Sequence, residues 1–540
     1  MKKFICLFTV FFGGVVSLSA DTYPRQPDVD AVHYVFRLEL DDARPGIVAE
    51  ATVEMRFLRA GVTAFELDLT SVAAGKGMTV DRVGSTGGAV TFTHSANRLR
   101  ITMATSPSAE EHRWFTIGYQ GVPASGLRLG NNKYDEWSAF SQNWPNRARE
   151  WLPMIDHPYD KATSEFIVTA PTRYQVVANG LLQEEMALGD GRRLTHWKQN
   201  VPIASWLNTL GVEQFYVHYA GTVRGVELQT WVAHQDKDAG IVYFEGPARQ
   251  ALEFYSDFVG PYAYEKLANV GAAGVSGGME HASAIFYGEK GIRAVPGFGL
   301  VAHEIAHQWF GDAVTERDWN DVWLSESFAT YLTHLCEERY LGRDVMVAGL
   351  KRDVATILGA EKSSPDTPVI HRNVSDMSKV LNRFVYQKGG WVLHMLRKLV
   401  GPEVFRSGIR DYYRLYMNAN ATTDDFLRAM EQASGQNLRW FFTQWLNRSG
   451  VPKLDGTWRY DALKKEVTVT VTQTLSGEPF RLPIEIGVVA TPGGVPRVEP
   501  IELTTPTGTF RIAADTEPAA VVLDPNTWLL FETGAFVRTP

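Results

Sequence analysis

At 540 residues the chain is too long for one ordinary domain and has room for three, at about 150 residues per domain. Its 45% hydrophobic, 21% charged and 12% aromatic composition is that of a protein with ample apolar surface to bury, which excludes a disordered or fibrous chain. A net charge of −8, from 53 basic and 61 acidic residues, argues against nucleic acid or an anionic lipid surface as a partner.

In chain order, Lys2 and Lys3 precede an apolar run from Phe4 to Val16, followed by Ser17-Leu-Ser-Ala20 and Asp21. This pattern predicts a secretory signal peptide over residues 1–20, cleaved after Ala20, and a periplasmic or secreted destination. The run has about thirteen apolar residues, where a bilayer span needs about 20. No other stretch is a membrane candidate, so stable membrane insertion is not expected. Cys6 lies at the start of the run and not at its end, which speaks against lipid attachment there. Loss of Lys2 and Lys3 lowers Lys plus Arg from 53 to 51 against 61 acids, and the net charge from −8 to −10. One cysteine remains, Cys336, so no intrachain disulfide is expected, and a buried inert thiol is the reading given to it.

Residues 21–212 alternate with period two, as in Tyr34-Val-Phe-Arg-Leu-Glu-Leu40 and Ala51-Thr-Val-Glu-Met-Arg-Phe57, and Gly, Asn and Asp separate the runs. That predicts an N-terminal domain of half-buried antiparallel strands. Over residues 213–450 the period lengthens. Helices are expected at Glu326–Tyr340, ended by Gly342, and at Asp424–Ala433, ended by Gly435. Alternation returns in Val467-Thr-Val-Thr-Val471 and in Leu482, Ile484, Ile486 and Val488. A small C-terminal β-sandwich is expected over 451–540. The fold class is therefore multidomain α+β.

The middle block carries His303-Glu304-Ile305-Ala306-His307. Residues four apart on an α-helix are rotated by about 40° beyond a full turn and lie about 6 Å apart along the axis, so both imidazoles face one way. They can bind one Zn²⁺, while Glu304, beside them, can reach an attacking water but is badly placed to ligate. Leu300, Val301, Ile305, Ala306, Trp309 and Phe310 supply an apolar stripe, and Gly311 offers a stop. A second helical run, Trp323-Leu-Ser-Glu-Ser-Phe-Ala-Thr-Tyr331, places Glu326 eighteen residues after His307. Two imidazoles and one carboxylate leave a fourth position open, the mark of a catalytic zinc site with one ion per chain.

With these two motifs, three further segments complete a resemblance. They are Gly277-Gly-Met-Glu-His281, Tyr386-Gln-Lys-Gly389, and Trp440-Phe-Phe-Thr-Gln-Trp-Leu446 leading to Gly450-Val-Pro452. The sequence resembles the gluzincin zinc aminopeptidases, the family of alanyl aminopeptidase and leukotriene hydrolase, over about residues 30–540. The resemblance implies a thermolysin-like, mainly helical catalytic domain and cleavage of N-terminal residues from peptides with a free amine. It implies that Glu280 binds the substrate α-ammonium, that Gly277, Gly278, Met279 and His281 hold its backbone, and that Tyr386 donates to the oxyanion. Gln142 stands where a family glutamine helps hold the amino terminus.

Departures from the family pattern carry their own expectations. His281 replaces the usual Asn and introduces a group that titrates near neutral pH, so an altered acid limb is expected. Trp144 replaces an acidic or amide residue, which predicts a narrower, more apolar pocket for the first residue. Ser325 and Ser327 replace Asn and Gly around Glu326, changing its support. Larger relatives continue into a helical domain roofing the active site, and from the end of this sequence after the sandwich an open cleft is expected. Two rival functions stand beside the peptidase. An epoxide hydrolase on the same zinc site is disfavoured by the lack of that helical domain. An inactive peptide- or protein-binding scaffold is disfavoured by the intact His303, Glu304, His307, Glu326 and Tyr386.

Overall fold

The computed structural model describes residues 21–370, 374, 376–475 and 477–540. The expected signal peptide, residues 1–20, lies outside them.

Period-two sequence becomes sheet in the first block. In Ile47–Phe57 every second residue from Ile47 to Phe57 is buried, while the polar residues between them face outward. A seven-stranded sheet runs Leu181–Ala187, Arg192–Ala204, Lys161–Pro171, Val29–Glu39, Ile47–Phe57, Glu111–Val122 and Gly77–Ser85 in spatial order. Its pairs are antiparallel except one: Val29–Glu39 runs parallel to Lys161–Pro171, from His33 opposite Thr163 to Glu39 opposite Thr169. A parallel pair needs a long crossover, and more than a hundred residues of chain separate these two strands. Purely local alternation carries no information about that partner.

The middle block opens on a sheet before its helices begin. Its five strands are ordered Phe215–Val223, Val226–Ala233, Lys266–Ala272, Ala284–Gly288 and Gly278–Met279. The last is an edge strand of two residues, with Gly278 opposite Tyr287 and Met279 opposite Phe286. Three helices then frame the site: α1 (Lys237–Phe258), α2 (Phe298–His307) and α3 (Trp323–Leu341). α2 and α3 pack on each other. Val301, Ala302, Ile305 and Ala306 are buried on α2, as are Phe328, Leu332, Leu335 and Cys336 on α3. Burial pushes the Cys336 thiol up to about 12, so it stays protonated and unreactive.

The last block is two sheets, one of Thr507–Ala513, Glu466–Gln473, Lys453–Asp461 and Glu532–Arg538, the other of Arg497–Leu503, Leu482–Val489 and Ala520–Leu523. Val467, Val469, Val471, Leu482, Ile484 and Ile486 are buried in this block. It is tied to the middle block by His394, whose Nε2 lies 2.8 Å from the Thr527 carbonyl oxygen and whose ring stacks on Trp528 at 4.6 Å.

The first and middle blocks are joined by a half-buried cation. Lys161 Nζ donates to Asp312 O (2.9 Å), Ala313 O (3.0 Å) and Thr315 Oγ1 (2.9 Å) in the loop that follows α2. Burial lowers its pKa to about 7, against the pull of Asp312 and Glu316. Lys161→Met would strand those three acceptors, which predicts a loss of about 3 kcal/mol. A thermal midpoint equal to that of the parent chain would contradict it.

Candidate metal centre and catalytic site

α2 and α3 bring three lone-pair donors to one point. His303 Nε2 lies 3.2 Å from His307 Nε2. Glu326 Oε2 lies 3.3 Å from His307 Nε2 and 3.6 Å from His303 Nε2. Metal–nitrogen distances of about 2.0–2.1 Å at a tetrahedral angle put neighbouring donors about 3.3 Å apart, so the spacing fits a small divalent cation. Glu326 Oε2 is buried and has no hydrogen-bond partner among the described residues, which is costly unless a cation meets it. Burial alone would raise the Glu326 carboxyl. The charge of His307 and the closeness of both imidazoles outweigh it and hold the group at about 2, keeping it ionised.

The second set of contacts orients these donors. His307 Nδ1 lies 3.2 Å from Phe310 O and 3.0 Å from Ser325 Oγ, which leaves Nε2 as the ligating nitrogen. The approach is close because residue 311 is glycine. At its φ of 116° a Cβ would fall 2.4 Å from Ser325 Oγ and 3.1 Å from His307 Nδ1. On the other side of Glu326, Ser327 Oγ donates to Val385 O at 2.6 Å. Val385 belongs to a π-helical turn, Phe384–Lys388, which carries Tyr386. Such single wide turns re-aim side chains and recur at functional sites. Tyr386 donates its hydroxyl to Glu326 Oε1 at 2.7 Å. Burial and the Glu326 charge hold the phenol well above its usual range, so it remains a donor. Ser325 and Ser327 thus supply the support that the sequence left open.

Two more carboxylates complete the site. Glu280, Glu304 and His307 each present an atom within 4.8 Å of the others. Burial, then the Glu280 charge, holds Glu304 well above the usual carboxylate range. Burial raises Glu280 to about 7, with Glu326 adding and His307 opposing. Glu304 lies directly on the edge strand: a Cβ at Gly278 would meet its Cδ and Oε1 at 2.3 Å, so no side chain fits there.

Gln308, next to His307 and fully buried, binds this carboxylate turn to the metal helix. Its Nε2 donates to Glu280 O (2.9 Å) and Asp312 Oδ2 (2.7 Å); its Oε1 accepts from Ser283 N (2.8 Å) and Tyr262 Oη (3.1 Å). Sequence reasoning passed over it. The available signal was an amide set between Ile305-Ala306-His307 and Trp309-Phe310, a run otherwise made for burial.

Other residues picked out by sequence lie differently. His281 is 0% exposed, its two ring nitrogens have no partner among the described residues, and its ring packs edge-on to Phe286 at 4.9 Å. Burial pushes it down to about 3, so the imidazole is neutral at ordinary pH and the expected titration near neutrality is corrected. Trp144 is 8% exposed, its ring packed edge-on to Trp206 and Trp319, so it fills a core and has little surface left to narrow a pocket. Met279 is buried beside Glu280, and Gly277, at φ 73°, turns the chain into the edge strand. Gln142 follows the strand Trp137–Ser141, and its Oε1 accepts from Arg147 at 2.8 Å. Among the described residues its contacts do not join it to Glu280 or Glu304.

Comparison with known proteins places this geometry in a family. Residues 30–207 match the peptidase M1 N-terminal domain and residues 245–445 the peptidase family M1 domain. The chain belongs to the M1 peptidase family. It is similar to the glutamyl aminopeptidase of Bitis rhinoceros, 28% identical over 363 residues, covering 64% of this chain and 36% of that protein. It is likewise similar to the tricorn protease-interacting factor F2 of Thermoplasma volcanium, 30% identical over 323 residues, covering 57% and 40%. The chain thus spans between a third and a half of the length of these relatives. Among solved structures, an M1 zinc metallopeptidase from Deinococcus radiodurans superimposes with a TM-score of 0.68 at 24% identity, covering 79% of this chain and 95% of that one. A two-domain M1 zinc metallopeptidase mutant bound to L-tryptophan gives 0.69 at 24%, covering 79% and 96%. These likenesses show the fold.

Three outcomes are expected. Ser325→Ala, which frees His307 Nδ1 from its hydroxyl partner, should weaken metal affinity by about 10- to 100-fold, read by competition with a chromogenic chelator. Gln308→Met should cost about 2 kcal/mol or more by leaving the Ser283 N–H and the Glu280 C=O unpaired, read as a lower thermal midpoint. As pH falls below about 6.5 the unfolded chain takes up a proton at His281 that the folded chain refuses until about 3, so this residue destabilises the fold on acidification. His281→Asn should flatten the acid side of the midpoint-against-pH curve by one proton's worth; identical slopes would show that the ring is not held neutral.

Proposed function

We propose that this chain is a zinc-dependent aminopeptidase that removes N-terminal residues from peptides carrying a free α-amine. The observation that carries the reading is the placement of Glu280. A third carboxylate, not needed for the metal set, sits beside Glu304 and His307 at the end of an open edge strand. A fixed carboxylate there rewards a terminal ammonium and rejects an internal peptide.

Zinc held by His303, His307 and Glu326 would supply Lewis-acid polarisation of the scissile carbonyl and of the attacking water. Glu304 takes the proton from that water and returns it to the departing amine. Its raised proton affinity, from burial and from Glu280, suits a carboxylate that must lift a proton off water. Tyr386, protonated at any working pH, donates to the oxygen that gains negative charge. The unpaired side of Gly278–Met279 can hold the substrate backbone by strand addition, with the amine reaching Glu280.

Export is proposed from Lys2, Lys3, the apolar run to Val16 and the small residues before Asp21. Among the described residues no helix is long and apolar enough to cross a membrane.

A panel of amino acid arylamides with N-acetylated controls, assayed with and without chelator, tests the function. Turnover of free-amine substrates should vanish on chelation and return with zinc; full activity of demetallated protein would defeat the reading. Glu280→Ala should lower kcat/KM for free-amine substrates by about 10²-fold or more, the scale of a buried ion pair losing one partner, and leave N-blocked ones little changed. Equal losses on both would remove the amine-anchor role. Tyr386→Phe should cost about 10²- to 10³-fold in kcat.

A further inference from the structure

A cavity of about 500 Å³ lies where loops of the first block meet the turn before the edge strand. Three of its lining residues are cations, Lys76, Arg128 and Arg147, and none is acidic. Gln142, Phe140 and Gly274 complete the walls that matter here. In a chain of net charge −8 this is a local reversal of sign. Among the described residues none of the three cations makes an ion pair with a carboxylate.

The ordinary account of exposed cations is a solvated face. Two features set this group apart. Both guanidinium groups are held in place by a single hydrogen bond: Arg128 Nη2 donates to Asn131 O at 2.7 Å, and Arg147 Nη1 to Gln142 Oε1 at 2.8 Å. Each keeps most of its five donors for another partner. The stem of Arg128 also crosses Gly274, where φ is 83° and a Cβ would meet Arg128 Cδ at 2.6 Å, so the arginine occupies space that only glycine leaves.

Buried rings connect the cavity wall to the turn that carries Glu280. Phe140 on its wall packs edge-on to Phe286 at 5.5 Å, and Phe286 packs on His281, the neighbour of Glu280. Gly274 belongs to the turn that delivers the chain into Gly278–Met279. Gly274 lies four residues before Gly278, so the basic wall stands at the N-terminal end of the edge strand. Gln142, which accepts from Arg147, is better placed to steady that cation than to accept from a second one, the substrate amine.

We infer that this cavity is a subsite for a carboxylate of the peptide substrate, an inference that rests on the aminopeptidase reading. Planar guanidinium forks match a carboxylate in two-point geometry, and Lys76 adds charge. Two parts of a peptide could supply the group: the C-terminal carboxylate of a short peptide, or an acidic side chain.

The test is calorimetric binding to full-length, zinc-loaded Glu304→Gln protein, in which turnover is suppressed, using Ala-Ala-Ala against its C-terminal amide and Ala-Ala-Glu-amide against Ala-Ala-Gln-amide. At low salt one acid form should bind about 5- to 10-fold more tightly than its neutral partner. The first pair responding assigns the terminal carboxylate, the second the side chain. The advantage should fall toward one in the added Lys76→Gln/Arg128→Gln and Arg147→Gln backgrounds. It should also fall in the unaltered cavity as salt rises from about 0.05 to 0.5 M, which covers a variant that fails to fold. Equal binding of acid and neutral forms in both pairs, or a preference that survives both substitutions and salt, overturns the inference. Wild-type protein that shows the preference but cleaves no free-amine peptide would uphold the subsite and defeat the peptidase reading.

Discussion

Three donor atoms, two imidazole nitrogens and one carboxylate oxygen, are held within 3.2 to 3.6 Å of one another. That arrangement is unfavourable in an empty, dry space, and the surrounding fold is what enforces it. The α2–α3 contact sets the distance, Gly311 lets the intervening loop pass close enough, and Ser325 fixes the ring of His307. The other functional groups are positioned relative to this cluster. Tyr386 bonds to Glu326, Glu304 shares the helix of both imidazoles, and Glu280 faces His307.

Gln308 turns two local arrangements into one. Its amide spans the metal helix and the turn carrying Glu280, and each of its two polar atoms is engaged at least twice. The amine anchor and the hydrolytic centre are therefore not free to drift apart. For an enzyme that must measure one residue from a terminal ammonium to a scissile bond, a fixed separation sets the cut more firmly than a strong contact at either end.

Where sequence succeeded, the signal was local and periodic. His303 and His307 fall together because residues four apart on a helix return to one face, with Glu304 beside them. The strands of the first block follow from alternation that repeats over ten residues, as in Ile47–Phe57. Glu326 could be picked out only because a carboxylate opened an apolar helix. What stayed hidden depends on partners distant in the chain. The parallel pairing of Val29–Glu39 with Lys161–Pro171 leaves no trace in either strand. The low pKa of His281 comes from burial by groups such as Phe286, and a sequence cannot show burial at one position in a glycine-rich turn. The π-helical turn at Tyr386 escapes a reading based on a period of 3.6, since it is a departure from that period. Ser325 and Ser327 were visible as departures, yet their partners, His307 and Val385, were not.

Lys161 has a consequence for how the protein can be divided. Its ammonium comes from a strand of the first block and satisfies two carbonyls and a hydroxyl in the loop directly behind the metal helix. A fragment beginning near residue 213 would keep every ligand and lose that ammonium, leaving the Asp312–Thr315 loop short of its donors. Separable sequence blocks are here not separable cooperative units, and circular permutation or domain grafting that parts them would cut through the catalytic centre's own foundation.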